Sequence, residues 1–174
     1  TWPTLSEDLE NNKFDLAMSG ITIKPDRKKV GLFSNSYASF GKLPIARCSD
    51  VKKYSSLKAI DQKGVHVIVN PGGTNESFAR ANIKKALIVE HANNSEIFSR
   101  ILSGDADVMM TDSIEVYYQS KIHKGKLCPT MTKTLTHSEM AIFMPKDTLL
   151  KKAVDSWLKS FVDQGKKKAL FDKY

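Results

Sequence analysis

The chain has 174 residues, 41% of them hydrophobic and 26% charged, with a formal net charge of +8. That length suits one ordinary domain or two small lobes, and no run reaches the ~20 apolar residues that a helical membrane span needs. The positive balance makes nucleic acid the obvious partner to consider, but the lysines scatter over predicted helix surfaces and the segment 164–173, without interleaved aromatics or a nucleic-acid motif.

Leu5 and Leu9 lie one turn apart, so residues 4–12 suggest a helix. Residues 14–20 read as a buried strand ending in small polar residues. Lys24-Pro25-Asp26-Arg27 is a turn with proline at its head, and 30–33 and 43–48 are short strands. A short helix near 56–60 precedes the β-branched run 65–69, a candidate for the interior of a parallel sheet. That run stops at Asn70-Pro71-Gly72-Gly73-Thr74, and a helix carrying Phe78, Ala79 and Ala81 follows.

A strand is expected at 86–89. Asn93 with Glu96 three residues on resembles a capping box, opening a helix with Ile97, Phe98, Ile101 and Leu102 on its apolar stripe and Gly104 at its end. A strand at 107–111, a helix at 113–121, a strand at 139–144 and a helical tail at 148–171 complete the order. This alternation means an α/β fold with mainly parallel sheets. A faint echo between residues 14–19 and 106–111 suggests two similar lobes facing one another.

Several constellations invite chemistry, and each has a plain alternative. Asp112 ends a strand and Glu115 follows three residues later, so both carboxylates can project from the first turn of one helix. Open α/β sheets gather their ligands at such strand ends, but the same pair also approximates a helix-capping box. Arg27 can grip a carboxylate bidentately or lie on the surface in a modest salt bridge. The loop 71–75 presents backbone N–H groups to an anion, or is a tight turn with Thr74 or Asn75 as helix cap. It is neither a P-loop nor a dinucleotide fingerprint.

The four histidines show no helical metal-ligand spacing, and no serine or cysteine sits in a nucleophile-elbow motif, so neither metal hydrolysis nor acyl-enzyme chemistry is expected. Cys48 and Cys128, 80 residues apart, are two buried thiols or one disulfide. Tyr117, Tyr118 and Trp157 read as packing, while Trp2 stays undecided.

These pieces occur in the order seen in the type II periplasmic solute-binding proteins for amino acids, which the chain resembles. The segment from Gly20 through Thr22 to Arg27 is similar to the family's carboxylate-binding segment, Gly72-Gly73-Thr74 to its donors from the second lobe, and Asp112 to the residue that takes the ligand's amine. Phe33-Ser34-Asn35-Ser36-Tyr37 matches a further family pattern. The stretches 1–5, 14–23, 70–82 and 107–115 resemble more closely an enzymatic branch that dehydrates prephenate and arogenate, and Cys48 and Cys128 fall where that branch has cysteines.

The resemblance implies a two-lobed, periplasmic-binding-protein-like (type II) α/β fold. Lobe one comprises 1–45 and 140–174, and lobe two 46–139. It also implies that the opening strands of lobe one are missing here. Thr1 is not a natural start, and no signal peptide is seen.

By that resemblance the catalytic residues are Glu115 as general acid, Asn75 and Lys42. Substrate binding falls to Trp2, Gly20, Thr22, Arg27, Thr74 and Asp112. The implied activity is a periplasmic carbon–oxygen lyase. It converts the small anionic substrates prephenate and arogenate to phenylpyruvate and phenylalanine, with no metal, no other cofactor and no nucleic acid. The alternative is a non-catalytic amino-acid receptor of an ABC transporter, which needs Arg27, Thr22, Thr74 and Asp112 but no acid at 115.

Overall fold

The computed structural model describes residues 1–173. The chain divides into two compact units, one of Thr1, Pro3–Ser39 and the described residues from 138 onward, the other of Trp2 and Phe40–His137. The divisions fall at 39/40 and 137/138, where the sequence reading placed them at 45/46 and 139/140. Residues 42–46 pair residue for residue with 108–112, and that ladder carries them into the second unit.

Among its described residues the second unit carries a five-stranded sheet. In spatial order its strands are Leu87–Glu90, His66–Val69, Val108–Asp112, Lys42–Arg47 and Leu127–Pro129. The first three run parallel, while Lys42–Arg47 is antiparallel to both its neighbours. The sheet is therefore mixed rather than mainly parallel, because apolar content specifies burial and not strand direction. Leu127–Pro129 was not foreseen; three residues are too short for a period-2 signal.

Alternation along the strands builds two cores. Leu43, Ile45, Ile68 and Met109 face one side, packed with Ile97, Phe98 and Ile101 from the helix Ile97–Ser103 and Val116 from the helix Ser113–Ile122. Ala46, Val67, Val69, Val108 and Met110 face the other, with Ile60 and Ala79 from the helices Leu57–Ile60 and Thr74–Asn82. A strand buried on both faces must be apolar at every step, which is why the run ending at Val69 reads as it does.

Cys48 and Cys128 are disulfide-bonded, which settles the two readings of the cysteines. The bond joins the end of one strand to the edge strand, where Ala46 stands opposite Cys128. Arg47 binds the Ile101 and Ala106 carbonyls and the carboxylates of Asp50 and Asp107, and so ties helix ends to the same strand.

The first unit pairs Leu32–Phe33 with Phe143–Met144 and packs Ile142, Met144 and Val154 together under the helix Thr148–Asp163. The expected turn at Pro25 is instead the first turn of a helix, Pro25–Val30, where proline's missing N–H costs nothing. The helical tail is interrupted before Lys166–Lys173 at Gly165, whose φ is +71°.

The expected strand at 14–20 does not form. Among the described residues its only pairing is a bridge from Ala17 to Phe143, and Leu16 and Met18 are exposed. A buried strand needs neighbours on both sides, and among the described residues Phe143 supplies one. The echo between 14–19 and 106–111 is accordingly not repeated in structure. Among the described residues no helix is long and apolar enough to cross a membrane.

Candidate active site

Lys42 opens its strand directly opposite Asp112, the last residue of Val108–Asp112. Gly41 makes that position possible, since a Cβ there would strike the Thr136 carbonyl and push away the strap 134–136. The strap holds the Lys42 backbone, with N–H to Thr136 Oγ1 at 2.9 Å and the carbonyl accepting from Leu135 N at 2.7 Å.

The Lys42 side chain is buried, yet its ammonium is amply bonded. Nζ donates to Asp112 Oδ1 at 2.5 Å, to Thr74 Oγ1 at 2.8 Å and to Asn75 Oδ1. Thr74 and Asn75 are the first residues of their helix, placed by the turn through Gly72, whose φ is +79°. Trp2 belongs to this unit and its indole stands beside Gly73, where an added Cβ would lie 3.6 Å from the ring. Asn75 Nδ2 then donates to Thr111 Oγ1 at 2.9 Å, and the Thr111 hydroxyl donates to Glu115 Oε2 at 2.5 Å. Asn94 also bears on the Glu115 carboxyl and favours its charged form.

The capping alternatives fail on these contacts. Asp112 is the N-cap residue of Ser113–Ile122, but its side chain caps nothing, and Glu115 turns to Thr111. Neither Thr74 nor Asn75 caps its helix; Glu76 accepts from Gly72 N at 2.6 Å instead. Asn93 does cap, though onto Ser95 N, while its amide donates to Glu96.

Burial acts on the two carboxyls in the same direction. Burial pushes Asp112 above the usual carboxylate range, opposed by the Lys42 charge and hydrogen bond. Burial also pushes Glu115 up. The Thr111 hydrogen bond opposes that, the Asp112 charge reinforces it, and Asn94 and the Lys42 charge pull down. A carboxyl with a raised pKa next to a lysine–aspartate ion pair is an arrangement that can serve a general acid.

In the first unit Thr22 bridges to Met140, and Arg27 is buried at 7% exposure rather than lying on the surface. Arg27 Nη1 donates to the Thr22 carbonyl at 2.9 Å, and burial lowers the guanidinium's pKa. Gly20, with φ +80°, donates its N–H to the Tyr37 hydroxyl at 3.3 Å.

The second unit thus brings together Lys42, Thr74, Asn75, Asp112 and Glu115, with Trp2 beside the loop. Gly20, Thr22 and Arg27 belong to the first unit. Thr111 and Asn94 were missed. A threonine inside an apolar strand carries no local signal, and Asn94 lies within the helix start marked by Asn93 and Glu96, which explained it without a role at the site.

The model of the bacterial extracellular solute-binding proteins, family 3, matches residues 1–174. The cyclohexadienyl dehydratase of Pseudomonas aeruginosa is 46% identical over 158 residues, 91% of this chain; the chain spans only 59% of that relative's length. A crystal structure of an ancestral amino acid-binding protein, a precursor of cyclohexadienyl dehydratase, superposes with a TM-score of 0.88 at 32% identity, covering 100% of this chain and 74% of that one. An ancestral cyclohexadienyl dehydratase is 46% identical with a TM-score of 0.52, covering 100% of this chain and 73% of that one.

Proposed function

This chain belongs to family 3 of the bacterial extracellular solute-binding proteins, and on that fold we propose that it forms part of a periplasmic cyclohexadienyl dehydratase. The reaction would take prephenate to phenylpyruvate, and arogenate to phenylalanine, by loss of carbon dioxide and water. The observation that carries the reading is Glu115, a half-buried carboxyl held above its ordinary pKa within a continuous hydrogen-bonded network. The 46% identity to a named dehydratase supports the same reading.

The chemistry asks little covalent work of the protein. Glu115 gives its proton to the ring hydroxyl, the C–O bond breaks and water departs. The electron pair of the bond to the ring carboxylate moves into the ring, carbon dioxide leaves and the ring becomes aromatic. Glu115 is left as carboxylate and regains its proton from solvent. Lys42 holds the Asp112 charge in check, and Asn75 links Lys42 to the acid through Thr111. Thr22 and Arg27 are assigned to the side-chain carboxylate, with Gly20, Thr74 and Trp2 lining the substrate.

The ion pair between Lys42 and Asp112 also weighs against a simple amino-acid receptor. In that role Asp112 would receive the ligand's ammonium, but here Lys42 already occupies it at 2.5 Å. An amine must displace or share that lysine, whereas the ketone of prephenate makes no such demand.

Incubating the intact protein with prephenate and following phenylpyruvate by ultraviolet absorption tests the reading. The expected result is turnover, with weak calorimetric binding of amino acids. Tight amino-acid binding without turnover would establish the receptor instead.

A further inference from the structure

One donor-only group fixes the direction of every hydrogen bond in the network. The Lys42 ammonium has protons and no lone pair, so the Asn75 atom facing it is Oδ1. That turns Asn75 Nδ2, itself only a donor, toward Thr111 Oγ1 at 2.9 Å. Thr111 therefore accepts from Asn75, and its single proton remains for Glu115 Oε2 at 2.5 Å.

The reverse arrangement, with Glu115 donating from Oε2, fails on satisfaction. Thr111 is fully buried, and among the described residues its hydroxyl meets Asn75 and Glu115 alone. If Glu115 donated, the threonine proton would be enclosed without an acceptor, a costly state for a buried donor.

Resting on the dehydratase reading, we propose that Thr111 is a positioning residue: oriented by Lys42 through Asn75, it occupies Oε2 of Glu115 and confines the transferable proton to Oε1. A carboxyl free to carry its proton on either oxygen presents it correctly only part of the time. The relay removes that ambiguity before substrate binds. The groups that bear on Glu115 are Thr111 and Asp112 at the strand end, Asn94 from the turn Asn94–Glu96, and Lys42 from the neighbouring strand.

The test compares Thr111→Val and Thr111→Ser in the intact protein, with two readouts. One is the titration of the Glu115 carboxyl carbon by NMR without substrate, its signal identified by its absence in Glu115→Gln. The other is the pH profile of phenylpyruvate formation. Thr111 donates to the charged form, so the valine variant should titrate at higher pH and carry the alkaline limb of kcat upward with it. Its plateau kcat should fall about tenfold while KM changes little. The serine variant keeps the hydroxyl and should match wild type in both titration and limb.

A valine variant that titrates like wild type overturns the proposal, as does a serine variant that shifts as far as valine. Thr111→Ala gives the same readout if valine cannot be accommodated in this buried position. If wild type makes no phenylpyruvate, the dehydratase reading fails, and the titration alone still decides the relay.

Discussion

Replacing Lys42 by methionine probes the centre of the site without touching the proposed acid. Methionine keeps most of the stem but removes the ammonium, and with it the bonds to Thr74, Asn75 and Asp112. Lys42 is 4% exposed, and the Asp112 side chain 16%. Breaking a buried pair by deleting one partner costs about 3–5 kcal/mol, and the partial exposure of Asp112 points to about 3 kcal/mol at neutral pH.

With an unfolding entropy of about 2.1 cal/mol/K per residue, 174 residues give about 0.37 kcal/mol per kelvin, so Tm should fall by about 8 °C. The penalty depends on pH with a definite sign. Asp112 already has a raised pKa through burial, opposed by Lys42; without Lys42 it rises further. The destabilisation is therefore full above that pKa and fades as pH falls through it, because a protonated Asp112 needs no counter-ion.

Urea unfolding of Lys42→Met, Asp112→Asn and the double variant measures the coupling directly. The double variant should recover at least half the loss. A single variant within about 0.5 kcal/mol of wild type, or a double variant no better than Lys42→Met, would refute the buried-pair account.

Two further outcomes follow from the same contacts. Burial raises the Glu115 pKa, so the folded state holds a proton that the unfolded chain releases above about pH 4.3. Stability should therefore fall as pH rises from there through the folded pKa, and Glu115→Gln should gain on wild type across that window in urea midpoints; a gain that shrinks with rising pH would contradict this. Reducing the bond between Cys48 and Cys128 releases a constraint between residues 80 apart, worth about 4.5 kcal/mol on chain entropy, so Tm should drop sharply with reductant. Alkylation should find reactive thiols only after that treatment.

Much of the second unit was legible because local pattern and burial agree there. The β-branched run ending at Val69 lies between parallel neighbours, and Gly104 closes its helix with φ +91°. Strand direction was not legible, since the same apolar residues serve either way, and Lys42–Arg47 proved antiparallel. Residues 14–19 failed because a strand depends on partners that its own sequence does not encode.

At the site, Asp112 and Glu115 fit a helix cap and a catalytic pair equally well by spacing. The deciding residue, Lys42, lies 70 positions from Asp112 along the chain. Family resemblance pointed to Lys42, Asn75 and Glu115 as individuals. Thr111, which joins Asn75 to Glu115, came into view only through geometry.

In the proposed reaction Glu115 supplies a proton to a departing hydroxyl. The most direct test of that role is phenylpyruvate formation from prephenate by the intact wild-type protein and by Glu115→Gln, with prephenate binding measured in parallel. Wild type should turn over prephenate, and the variant should lose about 100-fold or more of that activity with binding retained. Equal turnover by the two proteins would contradict it.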